Sequence, residues 1–137
     1  VNGFADELPF ASLDFLYVPS RDVERDAGDL VNVLGGRQVF AVRDGHTNVA
    51  MIAMTAEPPH ILLTDHLEGD RPILIYRVEN MTATVHRLEA AGWERSQEFE
   101  IPHGPCVSFR TPNGHRLAIY QPLRPDATGF FAGRQDF

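Results

Sequence analysis

The residues best suited to chemistry in this chain are its histidines. His46, His60, His66, His103 and His115, with Asp65 and Glu100, supply the imidazole and carboxylate groups from which a divalent-metal site could be built. Their spacing argues otherwise. No two histidines stand four apart as a helical ligand pair, nor in a His-Glu-x-x-His arrangement. Asp65 and His66 are adjacent, so their side chains diverge on a strand. Cys106 is the sole thiol, which rules out a disulfide within the chain and fits a cytoplasmic location. As a nucleophile it would need an activating base, and only His103 is close in sequence; an inert buried thiol is the simpler reading. All 12 basic residues are arginine, so Schiff-base chemistry on lysine is excluded. Tyr17 and Tyr120 could hold and orient a flat ligand. Arg77 and Arg116 could pair with an anionic group.

Two similar halves must position these residues. Phe15–Ser20 reads as a strand, followed by Asp22 as a helix cap. Val23, Ala27, Leu30, Val31 and Leu34 then share one helical face, and Gly35-Gly36 ends the helix. Gly28 inside this helix signals either close packing or a weak helix. Strands at 38–43 and 48–55 flank an Asp44-Gly45 turn, and His60–Thr64 is the fourth strand. The second half repeats the order. Ile73–Val78 is a strand, Asn80 a cap, and Met81, Val85, Leu88 and Ala91 a helical face stopped by Gly92. Strands follow at 98–101, 106–110 and 116–120, with turns at Pro102–Pro105 and Thr111–Gly114. Ile73 lies 58 residues after Phe15, and Arg116 lies 56 after His60, so the halves are nearly collinear. Helices are expected near 22–35 and 80–92.

The boundaries expected are an N-terminal arm at 1–12, one domain at 13–122, and a tail at 123–137. Within the domain, modules at 13–66 and 72–122 are joined by a polar linker at 67–71. Phe130, Phe131 and Phe137 in the tail anchor it to the domain's own surface, or else cover a cleft or a partner subunit. A hydrophobic fraction of 43% and a charged fraction of 23% are those of a globular domain. The net charge of −7 and the scattered arginines argue against nucleic acid. No apolar run approaches the roughly 20 residues that span a bilayer, and the first residues lack the basic and apolar regions of a signal peptide.

The tandem βαβββ pattern resembles the vicinal oxygen chelate superfamily, which includes glyoxalase I, bleomycin-resistance proteins and extradiol dioxygenases. The resemblance rests on Val18–Val23 with Asn32–Gly36, on Arg77–Asn80 with Leu88–Gly92, and on Phe109–Tyr120, and it covers about residues 13 to 122. It implies an α+β fold in which the two modules form an eight-stranded half-open barrel around a cleft, and a homodimer. Metal enzymes of this family carry a His or Glu early in the first strand and a Glu in the last strand of each module. The matching positions here are Phe15, Leu62, Ile73 and Ala118, none of which can bind a metal. A slip of one residue gives Leu16, Leu63, Leu74 and Ile119, which are no better. No metal or other cofactor is therefore expected.

Strand alternation extends these positions into a cleft wall. The expected ligand-binding residues are Phe15, Tyr17, His60, Leu62, Ile73, Arg77, Arg116, Ala118 and Tyr120, with Tyr17 and Tyr120 facing one cavity. The opposite parity (Leu16, Val18, Ile61, Leu63, Leu74, Tyr76, Val78, Leu117 and Ile119) is expected to pack under the helices. The sequence thus supports a metal-independent protein that binds a small, partly aromatic molecule between its modules, with no catalytic residue assigned. Two alternatives stay open. One is a glyoxalase- or dioxygenase-like enzyme with relocated ligands or metal-free catalysis. The other is an interaction module whose cleft is filled by its own side chains.

Overall fold

A computed structural model describes residues 8–67, 69–110 and 114–137. Residues 1–7 of the expected arm, Glu68 in the linker and 111–113 in the expected turn lie outside the described residues. The first half contains β1 (Ser12–Pro19), α1 (Val23–Asn32), β2 (Arg37–Asp44), β3 (Thr47–Ala53) and β4 (His60–Thr64). The second contains β5 (Ile73–Arg77), α2 (Met81–Ala90), β6 (Glu94–Ile101), β7 (Gly104–Arg110) and β8 (Arg116–Tyr120). A short α3 (Ala127–Phe131) follows.

All eight strands form one mixed, unclosed sheet in the order β2-β3-β4-β1-β5-β8-β7-β6. With β1 matched to β5, β2 to β6, β3 to β7 and β4 to β8, this order reads the same from either end. β1 runs parallel to β4, and β5 runs parallel to β8. The antiparallel pair β1–β5 joins the halves within the chain, with Leu16 opposite Leu74 and Tyr17 opposite Ile73. This is the expected glyoxalase-like architecture.

Local chemistry explains the elements. Asp22 Oδ1 accepts from Arg25 N at 3.1 Å, and Asn80 Oδ1 accepts from Ala83 N at 2.9 Å, so both helices open on the side-chain caps read from the sequence. Gly45 takes a φ of 61° in the β2–β3 turn, a left-handed conformation that side chains resist. The helices are shorter than expected. α1 ends at Asn32, so Leu34 leaves the helical face and is 66% exposed; Ala91 caps α2 and is also exposed. Gly28 is not closely packed, since an added Cβ would meet only Asn32 Nδ2 at 3.8 Å. Its presence therefore weakens the helix without a packing return.

Alternation sorts the apolar residues into three clusters. Val23, Ala27, Ile52 and Leu63 pack under α1, while Val78, Val85, Phe109 and Ile119 pack under α2. Phe15, Tyr17, Leu62, Ile73, Ala118 and Tyr120 belong to the third, on the sheet's other face. The helix-facing expectation fails at Leu16, Leu74, Tyr76 and Leu117, which belong to neither helix cluster. Leu74 is 38% exposed, because the two helices cover the outer strands of their own halves.

The tail crosses from one half to the other. Gly133 N and Ala41 N bond across to Val39 O and Arg134 O at 3.0 and 2.8 Å, so residues 133–136 dress the β2 edge. Phe137 packs beside the α1 cluster, whereas Phe131 packs against the inner cluster with its ring 5.6 Å from Phe40. The tail therefore both anchors on the surface and covers the cleft, and Phe130 points outward at 79% exposure. The opposite edge, β6, presents Glu94, Arg95, Gln97 and Glu98, charge that disfavours edge pairing.

Candidate functional site

The inner face of the sheet is where the two halves meet. In register, Phe15 lies opposite His60 and Ile75, Tyr17 opposite Leu62 and Ile73, and Ala118 opposite Ile75. Phe15, Leu62, Ile73 and Ala118 are 4%, 0%, 1% and 0% exposed within one apolar cluster. These are the positions that the sequence resemblance matches to metal ligands, and their side chains offer no nitrogen or oxygen donor. They do not fit a metal ion. Among the described residues no group of three or more His, Cys, Asp or Glu side chains is placed to hold one either.

The bore is occupied by stacked rings. Tyr17 stacks on Phe99 at 5.3 Å, and Phe15 lies 4.6 Å from the His103 ring and 5.7 Å from Tyr120. Two separate cavities result. The larger, about 780 Å³, is lined by Phe15, Met51, Pro58 and Pro59, with Asp14, His60, Arg77, His103, Tyr120 and Thr128 converging on it. The smaller, about 350 Å³, is lined by Tyr17, Val42, Val49, His66, Arg124 and Phe131 among others.

Of the nine residues read from the sequence, Phe15, His60, Arg77 and Tyr120 line the larger cavity. Tyr17 lines the smaller one, so the two tyrosines share the inner face but not a cavity. The expected sandwich between them is corrected accordingly: intervening rings fill the bore. Leu62, Ile73 and Ala118 are sealed inside the cluster as the floor between strands. Arg116 is directed elsewhere, its Nη2 donating to the Arg71 carbonyl beside the linker.

The polar groups of the larger cavity are held in place. Tyr120 donates to Asp14 Oδ2 at 2.5 Å, and Ser12 donates to Asp14 Oδ1 at 2.5 Å. Arg77 Nε stands 3.9 Å from Asp14 Oδ2. Burial, and then the bond to Asp14, raises the Tyr120 pKa above the ordinary phenol value. Alternation did not reveal Asp14, because its parity assigns it to the helix side. The β1–β5 register shifts between Leu13 and Phe15, and this irregularity places Asp14 with Phe15 at the cavity.

His103, which the sequence places in the Pro102–Pro105 turn and offers as a metal ligand or a base for Cys106, is 5% exposed. It follows β6, where the turn meets the tail: His103 Nε2 lies 2.6 Å from Thr128 Oγ1, and Arg124 N donates to His103 O at 3.0 Å. Burial lowers its pKa to about 4, so the ring is neutral at neutral pH. The signal that would have exposed it is the tail's Thr128, seen only when the chain folds back. In the smaller cavity Tyr17 Oη lies 2.7 Å from His66 Nε2, and Thr64 Oγ1 lies 2.6 Å from His66 Nδ1. Cys106 is buried in the inner apolar cluster, and burial raises its thiol pKa, so it is not a ready nucleophile.

No protein-family model matches the sequence, and no curated protein matches it. Solved structures do. A methylmalonyl-CoA epimerase from Mycobacterium tuberculosis matches with a TM-score of 0.69 at 16% identity, covering 86% of this chain and 92% of its own. A halotolerant catechol dioxygenase matches at 0.58 and 14% identity, covering 80% of this chain and 40% of its own. An antibiotic-binding protein from a Streptomyces species matches at 0.41 and 20% identity, over 84% and 98% of the two chains. The shared architecture defines a class: an α+β, glyoxalase-like sheet. The chain shares the glyoxalase-like fold of the epimerase and dioxygenase structures. Among the described residues no helix is long and apolar enough to cross a membrane.

Proposed function

We propose that this protein binds a small organic molecule, without a metal, in the larger cavity between its halves. The observation that supports this most is the cavity itself. Its roughly 780 Å³ falls within the range of small-molecule sites, with an aromatic and proline wall and a few converging polar groups. Phe15 gives a ring face, Tyr120 and Asp14 a fixed polar pair, and Arg77 a cation at 47% side-chain exposure. A binding role needs a shaped pocket and no reacting group. The apolar residues at the family's metal positions favour this reading over a metal-dependent lyase or dioxygenase.

The test is a thermal-shift and native mass-spectrometry screen of small aromatic compounds against the dialysed protein. Compounds that raise Tm should do so equally with and without EDTA. His60→Trp, which fills the cavity from its rim, should abolish the shift while the unliganded protein still melts cooperatively. Binding that disappears with EDTA, or survives His60→Trp, would refute the proposal.

A further inference from the structure

The last segment of the chain ties together the two ends of an open sheet. β2 and β6 are the outermost strands of the sheet, and the tail is bonded to both. Its first anchor is Arg124, which donates through Nε to Pro102 O at 2.8 Å and through Nη2 to Ile101 O at 3.0 Å, and which pairs with Glu100 on β6. Its second anchor lies on β2. There Ala41 N donates to Arg134 O, Asp136 N to Ala41 O, and Arg43 N to Asp136 Oδ2, each at 2.8 Å. Both cavities take part of their wall from the segment between these anchors: Thr128 in the larger, Arg124 and Phe131 in the smaller.

The middle of this strap is its weak part. α3 is five residues long, and Asp126 at its start makes no side-chain cap bond. So short a helix has no stability of its own in water, and α3 is held only by what it touches. Thr128 Oγ1 lies 2.6 Å from His103 Nε2 and 3.9 Å from Met51 Sδ, and the Phe131 ring lies 5.6 Å from Phe40. Gly133, with a φ of 83°, bends the chain between α3 and the segment bound to β2. Cys106 belongs to the inner cluster against which Phe131 packs, and it is 1% exposed. Burial and then Glu100 raise its pKa while Arg124 opposes them, so the first anchor stands within electrostatic range of the sulfur.

We infer that residues 123–137 are a clasp that gates the larger cavity: α3 and the β2-bound segment undock together while the eight strands stay paired. Redocking restores the wall that Thr128 supplies. Weakly held elements of this kind open without global unfolding, and such an opening gives a small molecule its way in and out. The gating role rests on the binding reading above, whereas the opening itself does not.

Two signals read the opening in the full chain, near neutral pH and without a ligand. One is hydrogen exchange at Ala41 N, whose hydrogen bond goes to the strap. The other is modification of Cys106, the sole thiol, by methyl methanethiosulfonate. Both rates should be nearly independent of urea below the unfolding transition, because a local opening exposes little surface. Phe131→Ala removes a contact made only in the closed clasp and should speed both about tenfold. Val85→Ala, in the α2 cluster, lowers global stability but leaves the clasp's contacts in place, and should change neither rate. If Phe131→Ala fails to fold, Thr128→Val, which removes the bond to His103, should speed both about fivefold. Rates that carry the full urea dependence of global unfolding, or that rise equally in Val85→Ala, overturn the clasp. Faster Ala41 exchange without faster Cys106 modification also overturns it, because the tail then frays without opening the bore. All of these outcomes leave the binding reading standing, since that reading fails only in the compound screen.

Discussion

Lowering the pH should unfold this protein partly through one histidine. His103 is buried between Phe15 and the tail, and its pKa falls from 6.5 to about 4. The groups that set it are burial first, then Asp14, which opposes the shift, and Arg124, which reinforces it. In the unfolded chain the imidazole takes up a proton as the pH drops through 6.5, while the folded ring resists until about 4. The unfolded state therefore binds more protons in that window, so stability falls as the pH falls. Above pH 6.5 both states are neutral, and the contribution is fully retained. A drop from pH 7 to 4.5 should cost about 2 kcal/mol at this residue, after an allowance for residual solvent. The assay is urea denaturation of the unmodified protein and His103→Gln at both pH values. Every other titrating group is common to the two proteins, so the difference between their pH dependences isolates His103. His103→Gln starts less stable, having lost ring contacts with Phe15, but should lose about 2 kcal/mol less on acidification. Parallel losses would refute the reasoning and show that His103 takes up its proton in the folded state near its ordinary pKa.

Further predictions follow from packing and contact. Gly104→Ala should cost about 2–3 kcal/mol in denaturation experiments, because the added Cβ would overlap the backbone carbonyl of Gln121, which cannot swing aside. Tyr120→Phe should cost about 1–2 kcal/mol by the same measurement, since Asp14 loses a 2.5 Å charge-assisted bond but keeps Ser12 and Arg77. We also expect a homodimer, with light scattering giving twice the 15.3 kDa chain mass. Ile61, Leu16, Leu74 and Leu117 form a continuous apolar row across β4, β1, β5 and β8, and a second copy related by a twofold axis could cover it. Leu74→Arg should then give the monomer mass.

The sequence by itself determined the repeated unit, the helix caps, the face assignment of most strand residues and the apolar nature of the positions that the resemblance matches to metal ligands. These are local properties. Asp22 and Asn80 cap whatever helix follows them, and alternation assigns Phe15, Tyr17, Leu62 and Tyr120 to one face wherever the strand lies. Only the tertiary structure decided which inner-face residues meet open space. Leu62, Ile73 and Ala118 share a face with Phe15 and Tyr120, yet neighbouring strands seal them at 0–1% exposure. Asp14 enters the site through a register shift that alternation cannot anticipate. His103 becomes a buried, neutral group because Thr128, 25 residues later, returns to it with the tail. Tyr17 and Tyr120 face the same way but are separated by rings from β1 and β6 and by the turn after β6. Facing is a property of one strand's pleat, whereas enclosure depends on how distant segments fill the same volume.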